Sequence, residues 1–509
     1  MSDRSIVHSI SESGGATATT ITIECHMSNS LPSIVIVGFA NRAVDEAKER
    51  IRGAFAQSKL PFPKKRITIN LAPADIPKDS SSFDLGIATA ILQTSELIPR
   101  QDLSDTIMIG ELGLTGEVRG VRGIIGKLIA AKKNGFTTFY LPEANFKQAQ
   151  LVPNITIIPV KSLSSLYNHF TRNISIPQFD SGQGQVSIDE TIEAAIDMVD
   201  ISGQNRAKRL MEIAAAGGHN AMLSGPPGTG KSMLAKALAG ILPPMSLSEI
   251  LEVTHLHSLA SDNFEQIISI RPYRSPHHSA SNTSIIGGGQ NAKPGEVSLA
   301  HRGVLLLDEF PEYQRSVLES LRQPLEDKEI TISRAKHSAL YPADFMLIAT
   351  SNPCPCGYYG SSKPCSCAPQ AIIKYQRKIS GPIMDRIDMF VEVDDIEHSK
   401  LLRANPGNVT SKSVRQRVAA ARKLQSIRYS STSKTNSQLS NREIKKWAAL
   451  EPEAEDILNK AASKLQISAR SYMRLIKVSR TIADLEGCET IKISHMTEAI
   501  QYRRPVSSI

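Results

Sequence analysis

The run GPPGTGKS, Gly225 to Ser232, constrains this chain more than any other feature. It fills the glycine-rich phosphate-binding pattern completely and lies between an apolar stretch, AMLS, and a helical one, MLAKALAGIL. That is the strand, loop and helix order the pattern requires. Gly225, Pro226, Pro227, Gly228, Thr229, Gly230, Lys231 and Ser232 are therefore the expected nucleotide-binding residues. Backbone amides of the turn and of the helix N-terminus cradle phosphates, Lys231 reaches the β and γ groups, and Ser232 ligates Mg²⁺. ATP and Mg²⁺ follow as the expected cofactors.

Other short runs complete a hydrolytic site. GVLLLDEF reads as a buried strand ending in two carboxylates; Asp308 would help hold Mg²⁺ and Glu309 would orient and deprotonate the attacking water. IATSNP supplies Asn352 at another strand end, suited to positioning that water. GPIMDRIDMF places Arg386 between Asp385 and Asp388. It either forms a local salt bridge or, supplied in trans, stabilises charge on the transferring phosphoryl group, an effect worth about 10³ to 10⁵ in rate. SARSYMRLIKVSR lines up Arg470, Arg474 and Lys477 on one helix face. Arg470 is the first choice for a lid arginine contacting nucleotide and Arg474 the second, with a solvated basic face as the plain alternative.

At 509 residues the chain has room for about three domains. Residues 1–170 alternate β-rich runs with helical patterns and read as an α/β or α+β domain, and the polar stretch 171–188 reads as a linker. Residues 189–397 hold the nucleotide motifs, each at the end of a short buried strand, as in an open parallel sheet. Residues 398–509 carry apolar residues at three- and four-residue spacing and are expected to be helical. There SVRQRVAAARKLQSI, NREIKKWAALEPEAEDILNKAASKL and SARSYMRLIKVSRTIADL show that spacing, and the Ser/Thr-rich run YSSTSKTNSQLS reads as a mobile loop.

Hydrophobic residues make up 41% and charged ones 21%, a soluble globular composition. No apolar run approaches the ~18 residues a bilayer span needs, and the start lacks a secretory layout. A cytoplasmic protein with no membrane association is expected. The net charge of +9 favours a polyanion such as nucleic acid, although a solvated surface on so long a chain accounts for it equally well.

Cys354, Cys356, Cys365 and Cys367 form two CxC pairs, with Pro355, Gly357, Gly360 and Pro364 letting the chain fold back. Four close thiolates suit structural, tetrahedral Zn²⁺; reduced thiols and disulfides are the alternatives. Cys25 and Cys488 stand alone.

The motifs above, together with GQNRAKRLMEIAAAGGHN, RPYRSPHHSASNTSIIGGG and SARSYMRLIKVSRTIADL, resemble the magnesium-chelatase-like AAA+ ATPases, and within them the ComM/YifB family. The resemblance implies a central AAA+ P-loop NTPase sheet, a C-terminal helical lid and a homo-hexameric ring. In that ring Arg386 reaches a neighbour's γ-phosphate, Arg470 acts as sensor 2 and Gln204 helps hold the nucleotide base. Residues 271–301 resemble the helix 2 insert of this clade, and EITISRAKHSALYPADF a β-hairpin. In related ring motors such insertions face the pore, where Lys293, Arg334 and Lys336 would grip a phosphate backbone. His277 and His278, lacking a third ligand nearby, are assigned a structural role in the insert rather than a metal.

The N-terminal domain resembles the Lon protease domain, an α+β fold of the ribosomal S5 domain 2-like kind. PKDSSSFDLGIATA puts Ser82 at that family's nucleophile position, whereas TGEVRGVRGIIGKLIAA puts Ile125 at its lysine position, with Lys127 two residues on. A serine without its base is a poor nucleophile, so the domain is read as catalytically inactive. The function the resemblance implies is an ATP-driven hexameric DNA translocase and helicase. It would promote branch migration on single-stranded and branched DNA in natural transformation, alongside recombination proteins. The alternatives are a chelatase-type motor inserting Mg²⁺ into a tetrapyrrole and, third, an ATP-dependent protease.

Overall fold

The computed structural model describes residues 4–12, 18–38, 43–73, 81–182, 196–289, 292–333, 338–395 and 410–503. Arg334 and Lys336 lie outside the described residues, as does the end of the expected linker. The chain packs as two units, Met1–Asp189 with Ile250–Ser269 and Thr331–Tyr341, and Glu190–Glu249 with Ile270–Ile330 and Pro342–Ile509.

The first unit is built on a mixed eight-stranded sheet. Its order is Phe179–Asp180, Thr156–Val160, Thr138–Pro142, Thr106–Met108, Arg4–Glu12, Ala18–Ser28, Arg66–Ala72 and Ser33–Val37. Period-two alternation explains its central strands. Ile21, Ile23, Cys25 and Met27 are buried along one strand, and Ile23 and Cys25 pair across the ladder with Leu71 and Ile69. The apolar helix Asp84–Thr94 packs on these strands and is buried almost throughout. Its first residue brings a carboxylate inside, and that charge needs partners: Arg50 Nε lies 2.7 Å and the Leu112 amide 3.2 Å from Asp84 Oδ2. Burial nonetheless pushes the Asp84 carboxyl up to about 6, with Arg50 opposing.

Residues 250–269 stand inside the nucleotide-motif stretch of the sequence yet pack with the first unit. Phe264 and His255 lie over Gly120 and Gly126, where a Cβ would fall 2.3 and 2.4 Å from their rings. Arg122 Nε donates to Asp262 at 2.9 Å, Lys147 pairs with Glu265 at 2.7 Å and Gln148 donates to the Gln266 carbonyl at 2.9 Å. The GEVRGVRGIIG run is thus shaped to receive two flat rings.

The second unit carries a five-stranded parallel sheet in the order Tyr273–Arg274, Val304–Leu307, Met346–Ser351, Ala221–Ser224 and Met389–Glu392. VLLL and MLIATS are buried at every position, the pattern of strands covered on both faces. The helices Asn205–Gly217, Lys231–Ile241, Ser411–Tyr429 and Ala469–Leu485 share one continuous apolar core with these strands. Arg422 and Gln425 donate to the carbonyls of Ala215 and Ala216 at 2.8 and 3.0 Å, satisfying acceptors that a helix end leaves open.

The region is helical as expected, with one stretch divided in two and one expectation in need of correction. The NREIKKW to AASKL stretch is two helices, Asn441–Trp447 and Pro452–Leu465. Pro452 starts the second, since proline has no amide to continue the first. The YSSTSKTNSQLS run is not a mobile loop. Asn436 is fully buried in it and bonds Thr481 at 3.0 Å, Asp484 at 2.8 Å and Tyr429 at 2.6 Å. Among the described residues no helix is long and apolar enough to cross a membrane.

Candidate functional site

The ends of three neighbouring strands of the second unit bring the nucleotide motifs together. The Gly225 amide donates to the Ser351 carbonyl at 3.2 Å, and Gly228 and Gly230 take left-handed backbone at φ 83° and 86°. Thr229 Oγ1 closes the loop on the Pro226 carbonyl at 3.0 Å. Lys231 is buried, and its Nζ donates to the carbonyls of Gly225 at 2.7 Å and Pro226 at 2.6 Å and lies 3.4 Å from Asn352 Oδ1. Burial lowers the Lys231 pKa, opposed by Asp308, Asp395 and Glu309. Ser232 Oγ donates to Asp308 Oδ2 at 2.8 Å. A serine hydroxyl and a carboxylate oxygen at this separation are the donor set of a hard divalent cation, and Ser232 and Asp308 fit Mg²⁺.

Thr350 is a member that sequence reasoning missed. Its hydroxyl donates to Asp308 Oδ1 and accepts the Glu309 amide at 3.1 Å, so one side chain orients both carboxylate residues. Only its place, two residues before Asn352 in IATSNP, hinted at this. Gln204 sits in left-handed backbone before the helix Asn205–Gly217 and donates to the Asp394 carbonyl at 2.7 Å.

The arginines gather elsewhere. Arg386 bonds the Glu326 carboxylate and the Pro382 carbonyl, the latter at 2.6 Å, and Arg470 donates to Glu326 Oε1 at 3.2 Å. Glu326, which no motif marks, thus joins the two. Arg474 is drawn inward: it donates to the Ile387 carbonyl at 2.9 Å and lies 3.7 Å from Asp388. His219 Nδ1, 3.3 Å away, and the Asn220 amide, at 3.2 Å, also meet that carboxylate. Burial alone would raise the Asp388 pKa, but His219 and Arg474 hold it lowered. Lys477 donates to the Ser437 carbonyl at 2.9 Å, so the basic stripe is largely engaged by protein.

Directly after Asn352 the chain enters the cysteine loop. The sulfurs of Cys354, Cys356, Cys365 and Cys367 all lie within 4.8 Å of one another, with Cys354–Cys356 at 3.3 Å, Cys354–Cys365 at 3.7 Å and Cys356–Cys365 at 3.5 Å. All six cysteines of the chain are free thiols. Tetrahedral zinc with bonds of about 2.3 Å spaces its sulfurs about 3.8 Å apart, so the set fits a metal ion. Backbone amides, that of Tyr358 foremost, pull the Cys356 thiol down to about 5, whereas against the pull of backbone amides burial and the neighbouring thiols push Cys365 up to about 12 and Cys367 upward. One thiol of the set is thus readily ionised and the others need a cation to become thiolates. The loop also touches the phosphate site, because Gly357 lies against Pro227. A second group, Glu486, Cys488 and His495, is otherwise committed: His495 accepts the Lys492 amide at Nδ1 and bonds Glu486 through Nε2, both at 3.0 Å.

Lys293 lies on the two-residue strand Lys293–Pro294, paired antiparallel with Gly287–Gly288. His277 and His278 stack at 4.2 Å between ring centroids, and His278 Nδ1 is 3.4 Å from Glu309 Oε2. In the first unit Ser82 and Ile125 are buried, and Lys127 Nζ donates to the Arg122 carbonyl at 2.7 Å.

Comparison with known proteins agrees with this layout. Three family profiles match: "Magnesium chelatase, subunit ChlI" over residues 197–401, "Subunit ChlI of Mg-chelatase" over 23–145 and "Magnesium chelatase, subunit ChlI C-terminal" over 408–503. The competence protein ComM of Haemophilus influenzae is 40% identical over 97% of this chain and 96% of its own length. The protein YifB of Salmonella typhimurium is 40% identical over 96% and 95%. The Lon protease of Mycoplasma genitalium is 35% identical over 112 residues, 21% of this chain and 14% of its own. With the phosphate loop, the paired carboxylates and the parallel sheet in one unit, and this likeness along nearly the whole length, the chain belongs to the ComM/YifB family of magnesium-chelatase-like AAA+ proteins.

Proposed function

We propose that the chain is an ATP-driven DNA translocase and helicase, acting as a homo-hexamer, that promotes branch migration of recombination intermediates during natural transformation. The observation that carries the motor reading is the division of labour around Glu326. Ser232, Asp308, Thr350, Glu309 and Asn352 converge on the phosphate loop, while the hydrogen bonds of Arg386 and Arg470 run to Pro382 and Glu326. Two arginines that make no hydrogen bond to their own phosphate loop among the described residues are suited to the nucleotide of a neighbouring copy. The DNA part rests on the full-length likeness to a protein named for competence and on Lys293 in the insert hairpin.

In this mechanism the loop amides and Lys231 bind the phosphates, Lys231 leaving the carbonyls of Gly225 and Pro226 to do so. Ser232 and Asp308 hold Mg²⁺, which when bound neutralises charge on the β and γ groups. Glu309 takes the proton of the attacking water, Asn352 orients that water, and Arg386 and Arg470 of a neighbouring copy meet the charge that develops. Cys354, Cys356, Cys365 and Cys367 would hold zinc, which would tie the loop after Asn352 into one shape. The Lon-like domain, with apolar Ile125 where a lysine would serve as base, acts in assembly or partner binding.

The test is ATP turnover and strand displacement with single-stranded, duplex and forked DNA. Forked or single-stranded DNA should raise turnover several-fold. Neither stimulation nor displacement would reject the helicase. The family profiles carry the chelatase name, so metal insertion into a tetrapyrrole by the chain and partner subunits is the reading such a failure would favour.

A further inference from the structure

One corner of the Lon-like unit carries a charge that its own chain leaves unbalanced. In the eight-stranded sheet, Arg66 at the start of the strand Arg66–Ala72 pairs with Ser28 on one side and with Ser33 on the other. Residues 29–32 therefore cross past the beginning of that strand. The crossing is stiff, because the Ser30 amide donates to the Ser28 carbonyl at 2.9 Å and Pro32 confines Leu31 to extended backbone. Leu31, in this turn, is 88% exposed, more than any other large hydrophobic residue described. Ser33–Val37 is the last strand of the sheet, so among the described residues no further strand flanks the turn.

The chain reaches Arg66 from the helix Ala43–Gln57 by an anchored path. The Leu60 amide donates to the Phe55 carbonyl at 3.0 Å, Lys59 takes left-handed backbone at φ 55°, and Phe62 meets Phe55 edge-on with ring centroids 5.2 Å apart. Lys59, Lys64, Lys65 and Arg66 are all exposed, and among the described residues none of their side chains has an ion pair or hydrogen bond. Nor is there an acid in residues 57–72 or 25–38. Elsewhere on the unit Arg119, Lys147 and Lys161 each find a carboxylate, at 2.8, 2.7 and 3.1 Å. Adjacent cations with no counter-charge repel one another, and a polyanion relieves that repulsion while releasing its own counterions.

The make-up of the corner narrows the polyanion. Single strands are held by stacking bases on exposed aromatic rings. Here the one aromatic ring in residues 57–72, Phe62, is occupied with Phe55, and residues 25–38 have no Phe, Tyr or Trp. Cations without stacking partners suit the sugar-phosphate backbone of a duplex. A lone leucine buries too little apolar surface to anchor a bilayer, but an apolar side chain beside gripped phosphates is what unstacks a base step. We propose that this corner of the Lon-like unit grips duplex DNA at a fork, with Lys64, Lys65 and Arg66 on the backbone and Leu31 as a wedge against the terminal base pair. The grip rests on charge and geometry alone; the wedge rests on the translocase reading above.

The test is binding of labelled duplex and forked DNA by the full chain, with a non-hydrolysable ATP analogue and at several salt concentrations, followed by strand displacement with ATP. The variants are Lys64→Gln with Lys65→Gln, Leu31→Ser, and Lys133→Gln with Arg172→Gln, the last pair being exposed cations elsewhere on the unit. Loss of Lys64 and Lys65 should flatten the slope of log affinity against log salt by about two, the value for two phosphate contacts, and weaken duplex binding about tenfold. Loss of Lys133 and Arg172 should leave both unchanged. Leu31→Ser should bind as tightly as wild type and displace strands several-fold more slowly, and ATP turnover without DNA should be that of wild type in all three. An unchanged slope in the Lys64 and Lys65 variant, an equal loss in the Lys133 and Arg172 variant, or phosphatidylserine vesicles binding at the corner in place of duplex would overturn the proposal. Strand displacement by wild type that both corner variants match would overturn it while leaving the translocase reading intact. Duplex binding that is lost with Lys64 and Lys65, in a wild type that displaces no strands, would reject that reading and the wedge, and the grip would stand.

Discussion

Gly357 of the cysteine loop packs against Pro227 of the phosphate loop so closely that a Cβ at Gly357 would lie 2.7 Å from Pro227 Cδ. Gly357 is also left-handed, at φ 87°, where an L side chain costs about 1–2 kcal/mol. Gly357→Ala must strain the turn and press on the phosphate loop. We expect KM for ATP to rise about five- to tenfold, near the factor that such an energy gives, while metal content stays that of wild type. Turnover kinetics and metal analysis on one preparation check this, and an unchanged KM would reject mechanical contact as a link between the two loops.

If the four cysteines hold zinc as proposed, its loss should act through the same contact. Cys365→Ser removes one of four sulfurs that lie within 4.8 Å of one another, and it should lower bound zinc and ATP turnover together. Chelation of wild type should do likewise and be reversed by added zinc. Full turnover in a protein shown to be metal-free would separate the cysteine loop from the ATPase.

For the phosphate site itself, Glu309→Gln should lower kcat by about 10² to 10⁴, the range for loss of a general base, and leave nucleotide binding intact. Arg386→Ala should be comparably inactive for a different reason. If Arg386 serves a neighbouring copy, mixing the two inactive variants creates interfaces with an intact Glu309 facing an intact Arg386, and activity should reappear. A mixture as inactive as its parts would show that Arg386 acts within its own chain, on Glu326.

The run of the chain announced its phosphate loop, carboxylate pair and cysteine loop because each is contiguous: the chemistry and its spacing are printed side by side. The buried strands VLLL and MLIATS were equally legible, since a strand covered on both faces has no polar positions. Thr350, Glu326 and His278 were not legible as a set. Their partners Asp308, Arg470 and Glu309 lie far away along the chain, and none of the three is an unusual residue where it stands. The placement of residues 250–269 with the first unit was hidden for a related reason. A helix with an apolar face packs on whatever surface accepts it, and only the glycines of GEVRGVRGIIG hinted where two rings would be received. Asn436 was misread because polar runs usually signal solvent, whereas here a buried carboxylate, Asp484, recruits the amide inward.

His255 makes the packing of residues 250–269 sensitive to acid. Its Nδ1 accepts the Gly126 amide at 3.3 Å, and its Nε2 is buried with no hydrogen-bond partner among the described residues. Burial, reinforced by the Lys127 charge, depresses its pKa to about 4. The unfolded chain, near 6.5, then binds more protons than the folded one between those values, so stability falls as pH drops from about 6.5 to about 4. The full span corresponds to on the order of 3 kcal/mol. Hydrogen exchange across residues 250–269 should quicken at pH 5 relative to pH 7.5, and His255→Gln should abolish most of that difference. An identical pH response in the variant would remove His255 as the cause.

The apolar core shared by the parallel sheet and the C-terminal helices bears on how the molecule can be dissected. Leu210, Ala214, Val418 and Ile482 belong to one cluster, and Arg422 and Gln425 close the end of a helix that precedes the phosphate loop. A fragment ending after the last sheet strand would leave that cluster open to water and those carbonyls without donors. The minimal nucleotide-binding piece therefore extends through Ala469–Leu485. Conversely, the severed helical piece supplied separately has a ready-made seat, so the second unit is a natural candidate for reconstitution from two halves.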